Sequence, residues 1–445
     1  MRPESFRSPV ELVGAHVRLV PLQPSHAEAL APVWANPDVN RYLIGLVPGP
    51  DRSDLRPLVD YLLSQQARGT DLAFTTIRTS DGRPIGMTRY LHIDRPNDAV
   101  EIGGTWLDPS CWRTPCNTES KLLLLRHAFE TEGVHRVCLQ TDARNARSQT
   151  AIARIGAQRE AVLRDDRRLA ENGFRSSVFF RILRPEWPAI ERSLTAKLDR
   201  PPVETGWPAA EARRGPTIAR AAAAGPEPER RLPEIRLHPP VTLHGRYVAL
   251  VPLDRSQIPG LAHAGRDPEI WRWLRIPPGR DEREMTGLVD EFLAGQADGS
   301  LLPFAVLERS SGAPIGMFRF LDIDRHDRKA EIGTWIDSAY WRSPVNTEVK
   351  YLGLGWAFEH ERVHRVQLRT DARNVRSQRA IERLGAVREG THDEHLRLRD
   401  GTYRTSFVYS LLAPDWPGVK ARLEERLARP WNPGGRPASG SIGGS

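Results

Sequence analysis

The chain has 445 residues, a formal net charge of +8, 39% hydrophobic and 27% charged residues, which predicts two or three globular domains at about 100–200 residues each. No stretch reaches the roughly 18 apolar residues that cross a bilayer, and the start Met1-Arg2-Pro3-Glu4-Ser5-Phe6 lacks the apolar core of a secretion signal, so we expect a cytoplasmic protein with no membrane partner. The basic residues are almost all Arg, interleaved with Asp and Glu rather than gathered in a stripe with aromatics, which disfavours a nucleic-acid partner.

In chain order, residues 16–21 alternate and read as a strand, and 24–35 and 53–67 have helical spacing. Phe74 to Arg78 reads as a strand, Ser80-Asp81-Gly82-Arg83 as a hairpin turn, and Ile85 to Ile93 as a longer strand. Val100 to Leu107 follows and closes an antiparallel meander. The polar stretch Trp112-Arg-Thr-Pro115-Cys-Asn117-Thr118-Glu119 leads into a helix from Ser120 to Glu130, with Leu122, Leu125 and Phe129 on one face. Arg136 to Thr141 is a strand, and Arg147 to Ile155 a short helix with Gly156 as its C′ stop. Phe174 to Leu183 is a final strand, and Pro185-Glu-Trp-Pro188 opens a closing helix. This order predicts an α/β (α+β) domain: a mixed, mostly antiparallel sheet flanked by helices.

The whole unit then returns. Gly14-Ala-His-Val-Arg-Leu-Val-Pro-Leu22 reappears as Gly245-Arg-Tyr-Val-Ala-Leu-Val-Pro-Leu253, and Thr141-Asp-Ala-Arg-Asn145-Ala-Arg-Ser148-Gln as Thr370-Asp-Ala-Arg-Asn374-Val-Arg-Ser377-Gln. The offset drifts only from 231 (245 less 14) to 229 (370 less 141). A period this long means two complete domains rather than a solenoid. We place them at 8–199 and 238–429, joined by a Pro/Ala/Arg-rich linker at 200–237 and followed by a disordered tail at 430–445.

The duplication is an internal control. Cys111, Cys116 and Cys138 face Tyr340, Val345 and Gln367 in the second copy, so two working copies need no thiol. Of the 13 His, only His135 and His364 correspond, each just before a strand; with no second ligand at metal spacing, both read as packing or capping residues and no metal is expected.

The strand–loop–helix at 100–130 carries the chemistry. A loop running from a strand end into a helix N-terminus offers backbone N–H groups and the positive end of a dipole to an anion such as phosphate. Thr118 and Thr347 read as N-caps, with Glu119 and Glu348 in the first turn, and Arg113 and Arg342 add charge. An ordinary capped helix is the alternative.

Three segments, taken together, resemble the GNAT N-acetyltransferases, in the branch of the RimJ/RimL-type ribosomal-protein enzymes. They are Glu101-Ile-Gly-Gly-Thr-Trp106 with Glu331-Ile-Gly-Thr-Trp335, the Trp-Arg-x-Pro-x-Asn-Thr-Glu-x-Lys runs from Trp112 and Trp341, and the runs His135–Glu160 and His364–Glu389. The resemblance spans nearly all of each copy. It implies two tandem acetyltransferase domains, with acetyl-CoA held where two parallel strands splay and its pyrophosphate on Trp112, Arg113, Thr114, Asn117 and Thr118, and on Trp341, Arg342, Ser343, Asn346 and Thr347. The family's loop glycines would fall on Pro115 and Asn117, and on Pro344 and Asn346; proline lacks an N–H, so one phosphate donor is lost and the Asn side chain stands in. Asn145 and Asn374 match the family Asn that contacts the cofactor arm, with helix capping as the alternative. The family's acid tyrosine aligns with Ile152 and Ile381, so the resemblance assigns protonation of the leaving thiolate to Ser148 and Ser377.

Direct acetyl transfer requires a neutral primary amine. Glu101 and Glu331 match a catalytic-Glu position and are the candidate bases; a strand Glu paired with Arg89 or Arg319 is the alternative. Asp165/Asp166 and Asp393/Glu394 are runners-up. The leading reading is an acetyl-CoA-dependent N-acetyltransferase acting on a protein N-terminus or a small-molecule amine. The second is a non-catalytic acyl-CoA-binding or partner-binding protein with one or both domains degenerate. A covalent tandem also supplies the pieces of an intramolecular pseudo-dimer. Acceptor specificity is expected in 40–60 and 271–292, and after Glu160 and Glu389.

Overall fold

A computed structural model describes residues 1–2, 4–43, 54–169, 173–199, 235, 237 and 241–429. Most of the expected linker, the expected tail and 44–53 of the first specificity segment lie outside the described residues. The chain forms two compact units. The first is Met1–Arg159 with Leu169–Gly173 and Phe179–Pro233; the second is Glu234–Ser445 with Glu160–Arg168 and Phe174–Val178.

In the first repeat the elements are β1 (Leu12–Val13), β2 (Val17–Pro21), α1 (His26–Trp34), α2 (Pro37–Asn40), α3 (Arg56–Ala67), β3 (Leu72–Arg78), β4 (Pro84–Asp94), β5 (Ala99–Leu107), α4 (Pro115–Arg126), β6 (Arg136–Asp142), α5 (Ala146–Arg154), β7 (Gln158–Arg168), β8 (Phe174–Leu183) and α6 (Trp187–Leu198). The first unit's sheet runs β1-β2-β3-β4-β5-β6-β8. The ladders from β1 to β5 are antiparallel and β5–β6 is parallel. Helices cover both faces, which is why β3 and most of β4 are buried without alternation. On one face Leu30, Trp34, Leu58, Leu62, Met87 and Trp106 form a core under α1 and α3. On the other, Tyr90 donates its hydroxyl to the Leu124 carbonyl (2.5 Å) and meets Phe74 edge-on.

The second repeat gives β9 (Leu243–His244), β10 (Val248–Pro252), α7 (Ile258–Ala264), α8 (Pro268–Trp271), α9 (Glu282–Ala297), β11 (Leu301–Glu308), β12 (Pro314–Asp324), β13 (Lys329–Ile336), α10 (Val345–Gly355), β14 (Arg365–Asp371), α11 (Val375–Leu384), β15 (Val387–Arg397), β16 (Tyr403–Leu412) and α12 (Trp416–Ala428). Its sheet runs β9-β10-β11-β12-β13-β14-β16-β15, again with one parallel pair, β13–β14. The mixed sheet and flanking helices match the expected fold class.

The sequence reading departs from the structure in two places. β7 and β15 were not legible as strands, because Gln158–Arg168 and Val387–Arg397 are charge-rich and hold their conformation through ladder pairing, β15 along β16. The helix expected from Ser120 begins five residues earlier, at Pro115, and ends in a π-helical turn, His127–Thr131. Proline suits this start because a first-turn N–H has no helical partner to lose. Among the described residues no helix is long and apolar enough to cross a membrane.

Candidate active site

The site is made where β5 and β6 part. These parallel strands share only three pairs, Ala99↔Arg136, Val100↔Val137 and Glu101↔Cys138, and then diverge. In the second repeat the last shared pair is Glu331↔Gln367. Each candidate base therefore stands on the final rung before the strands separate. Glu101 is 6% and Glu331 8% exposed. Glu101 accepts from Gln140 Nε2 at 2.9 and 3.0 Å and lies 3.0 Å from His92 Nδ1. Glu331 accepts from Arg369 Nε at 2.5 Å and from Gln367 Nε2 at 3.2 Å. Of the alternative partners expected for them, Arg319 does act on Glu331 through its charge. Arg89 pairs with buried Asp71 at 2.9 Å, and the Arg319 guanidinium lies over the Phe292 ring.

Beyond β5 the chain turns into α4. Trp112 Nε1 donates to the Leu107 carbonyl (2.9 Å), and Trp341 Nε1 to that of Ile336 (3.0 Å), which pins the loop to the strand it leaves. The left-handed residue of the bend is Arg113 (φ +65°) or Arg342 (φ +66°), so an arginine takes the conformation glycine usually supplies. Thr114 caps α4: its hydroxyl donates to the Cys111 carbonyl (2.7 Å) and accepts from Cys116 N–H (3.4 Å). Ser343 does the same with Tyr340 and Val345. Thr118 and Thr347 are therefore not N-caps; they lie inside the first helical turn. The N–H group of Asn117, and those of Asn346 and Thr347, fall where a helix offers no internal acceptor.

Glu119 and Glu348 are also displaced from their expected role. Glu119 reaches out of α4 and accepts from the backbone N–H of Ala15 (2.8 Å), His16 (2.6 Å) and Val17 (2.8 Å). Glu348 holds Arg246, Tyr247 and Val248 in the same way. Each carboxylate ties its helix, α4 or α10, to the first long strand of its repeat. The glycine before that strand leaves room for it, since a Cβ on Gly14 would sit 2.4 Å from the Glu119 carboxyl carbon.

Asn145 and Asn374 cap α5 and α11, each accepting from a serine N–H three residues on, Ser148 or Ser377, at 3.0 Å. The capping role is thus present. Neighbouring Arg147 stacks on the Trp112 ring at 3.7 Å, and Arg376 on Trp341 at 3.4 Å. These arginines were missed in the sequence, though the repeated Ala-Arg-Asn-x-Arg-Ser-Gln contains them. Burial pulls both guanidinium pKa values below the usual Arg range.

Lys121 was missed too. Its ammonium is buried, donates to Thr105 Oγ1 at 2.6 Å, and has its pKa pulled down by burial to about 7. Lys350 donates to Thr334, sits over the Phe318 ring, and is likewise lowered to about 7, by burial and by Arg319. The runner-up acids Asp165 and Asp166 belong to the second unit, where Asp165 meets His364 and Asp166 meets Lys329, both at 2.9 Å. His364 also stacks on Phe174. Among the described residues no cluster of His, Cys, Asp and Glu could hold a metal.

The acetyltransferase (GNAT) domain family matches twice, at 16–158 and 248–387. The chain belongs to the GNAT N-acetyltransferase family. Both GNAT domains contain the splayed rung, the capped bend and the Asn cap. YdaF of Bacillus subtilis (strain 168), whose name provisionally makes it a ribosomal N-acetyltransferase, is 31% identical over 109 residues, 24% of this chain and 59% of its own. The p20 protein of Bacillus licheniformis, an uncharacterized N-acetyltransferase, is 22% identical over 181 residues, 40% of this chain and 99% of its own. A solved GCN5-related N-acetyltransferase from Brucella melitensis is 25% identical, covering 43% of this chain and 86% of that one, with a TM-score of 0.40.

Proposed function

We propose that this GNAT protein transfers the acetyl group of acetyl-CoA to a primary amine, either a protein N-terminus or a small molecule. The observation that carries the reading is the final parallel rung, where a buried carboxylate, Glu101, stands at the last pair shared by two strands, on the strand that runs on into the capped bend of α4. The residues fit the cofactor: Asn117, with Asn346 and Thr347, offers first-turn N–H groups to a pyrophosphate, and the Thr118 hydroxyl lies in the same turn. Trp112, Arg113 and Thr114, and Trp341, Arg342 and Ser343, shape the bend. Arg147 and Arg376 add positive charge, and Asn145 and Asn374 border the site. When bound, acetyl-CoA supplies an activated thioester.

Glu101 takes the proton that a primary ammonium must lose before its nitrogen can attack. His92 Nδ1, 3.0 Å away on an exposed ring, links that carboxylate to solvent. Ser148 holds a hydroxyl one turn into α5, available to a leaving thiolate; Ser377 is its counterpart. An α-amino group near pKa 8 loses its proton more readily than a lysine near 10.4, which favours N-termini and weakly basic amines as acceptors. The test is calorimetry with acetyl-CoA followed by turnover with a panel of amines. Binding without turnover on any amine favours the acyl-CoA-binding alternative, and no binding refutes both.

A further inference from the structure

The two copies differ at the rung where their strands part. In the first, Glu101 meets the neutral amide of Gln140 and the exposed imidazole of His92. In the second, the corresponding positions hold Arg369 and Asp322. Arg369 bonds Glu331 through Nε at 2.5 Å and Asp322 through Nη2 at 2.6 Å, and its side chain is 19% exposed. The Glu331 carboxylate is thus engaged by a largely shielded guanidinium, where Glu101 meets a neutral amide and an exposed imidazole.

A second difference lies on the same strand. β5 has one residue more than β13. Its register jumps from Met87↔Trp106 to Arg89↔Gly103, with Gly104 at φ +57°. The β12–β13 register runs unbroken from Gly316↔Ile336 to Leu321↔Glu331. A bulge takes a residue out of the ladder next to the point of divergence, and a backbone N–H released there is the kind of donor a developing oxyanion requires. The second copy keeps its ladder regular through the same stretch.

Resting on the transferase reading, we propose that acyl transfer is confined to the first copy and that the second is a catalytically silent GNAT domain clamped by Arg369. In the first copy a bond forms between amine nitrogen and acyl carbon, the thioester C–S bond breaks with its electron pair leaving on sulfur, and the nitrogen's proton passes to Glu101.

The test uses the full chain, acetyl-CoA and a primary-amine panel, following free thiol and acetylated amine together. Glu101→Gln is expected to lower turnover about 100-fold or more and to flatten the acidic limb of log kcat/KM against pH. The melting temperature should not change. Turnover above about a tenth of wild type overturns the confinement, because a working second copy would supply a sizeable share. Gln140→Arg imposes the second copy's pairing on Glu101 and is expected to lower turnover about 10-fold or more; wild-type turnover in it overturns the clamp. A wild-type chain that turns over no amine refutes the transferase reading itself, and this proposal with it. Turnover that survives Glu101→Gln refutes this proposal alone.

Discussion

Replacing Glu119 by Ala would release three backbone donors at once. Val17 N–H is buried, whereas Ala15 and His16 are exposed and can turn to water. Hydrogen bonds to a charged acceptor contribute about 1.5–3 kcal/mol each, and an orphaned buried donor costs about 1–3 kcal/mol. Counting Val17 in full and the other two at a fraction gives a loss of roughly 3–4 kcal/mol. For a unit of about 200 residues, 1 kcal/mol shifts the melting temperature by about 2–4 °C, so the first unit should melt some ~6–15 °C earlier. Urea unfolding of the full chain, with Glu348→Ala as the matched change in the second unit, measures this directly. A loss below about 1 kcal/mol in both variants would mean that the clasp is incidental and that α4 is held by its apolar face alone.

Gly14→Ala should act on the same clasp from the other side. The new methyl collides with the Glu119 carboxylate, and a loss above about 1.5 kcal/mol is expected by urea midpoint; a neutral result would show that the carboxylate moves aside freely. Lys121 gives a pH dependence. Its folded pKa is lowered from 10.5 to about 7, so between those values the unfolded chain binds more protons and stability rises with pH. Unfolding free energies at pH 7 and 9 should differ by up to about 1.4 kcal/mol per pH unit for this group, and Lys121→Met should remove that share of the slope; an unchanged slope refutes it. Asn145→Ala should cost about 1 kcal/mol as a lost cap, while Asn145→Ser restores the cap. If the KM for acetyl-CoA rises in both, Asn145 also touches the cofactor; if it rises in neither, the residue is a cap only.

Most strands and helices could be read from the sequence because their apolar periods are local: Ile85 to Ile93 and Leu122 to Phe129 announce themselves within a dozen residues. The duplication was equally legible, and it showed that two working copies would need no thiol. β7 and β15 were not, because their charged residues give no period and their conformation comes from ladder partners. The true cap at Thr114 was missed because Thr118 and Glu119 imitate a cap and first-turn acid, and only helix geometry shows that Pro115 already opens the helix.

The candidate residues of the site could be named from the sequence, but not their partners. Glu101 and Glu331 occupy identical motifs, and nothing local separates them. The difference comes from Gln140 and Arg369, on a strand that passes beside the glutamate only after β5 and β6 have paired, and from Gly104, whose extra residue reads as a harmless insertion until the register is known. The sequence by itself determined two copies of one α/β unit, because burial patterns and repeats are written along the chain. Which groups surround each glutamate, a neutral amide at Glu101 and a guanidinium at Glu331, was decided by the tertiary structure, because a charge responds to whatever the fold brings within a few ångströms of it.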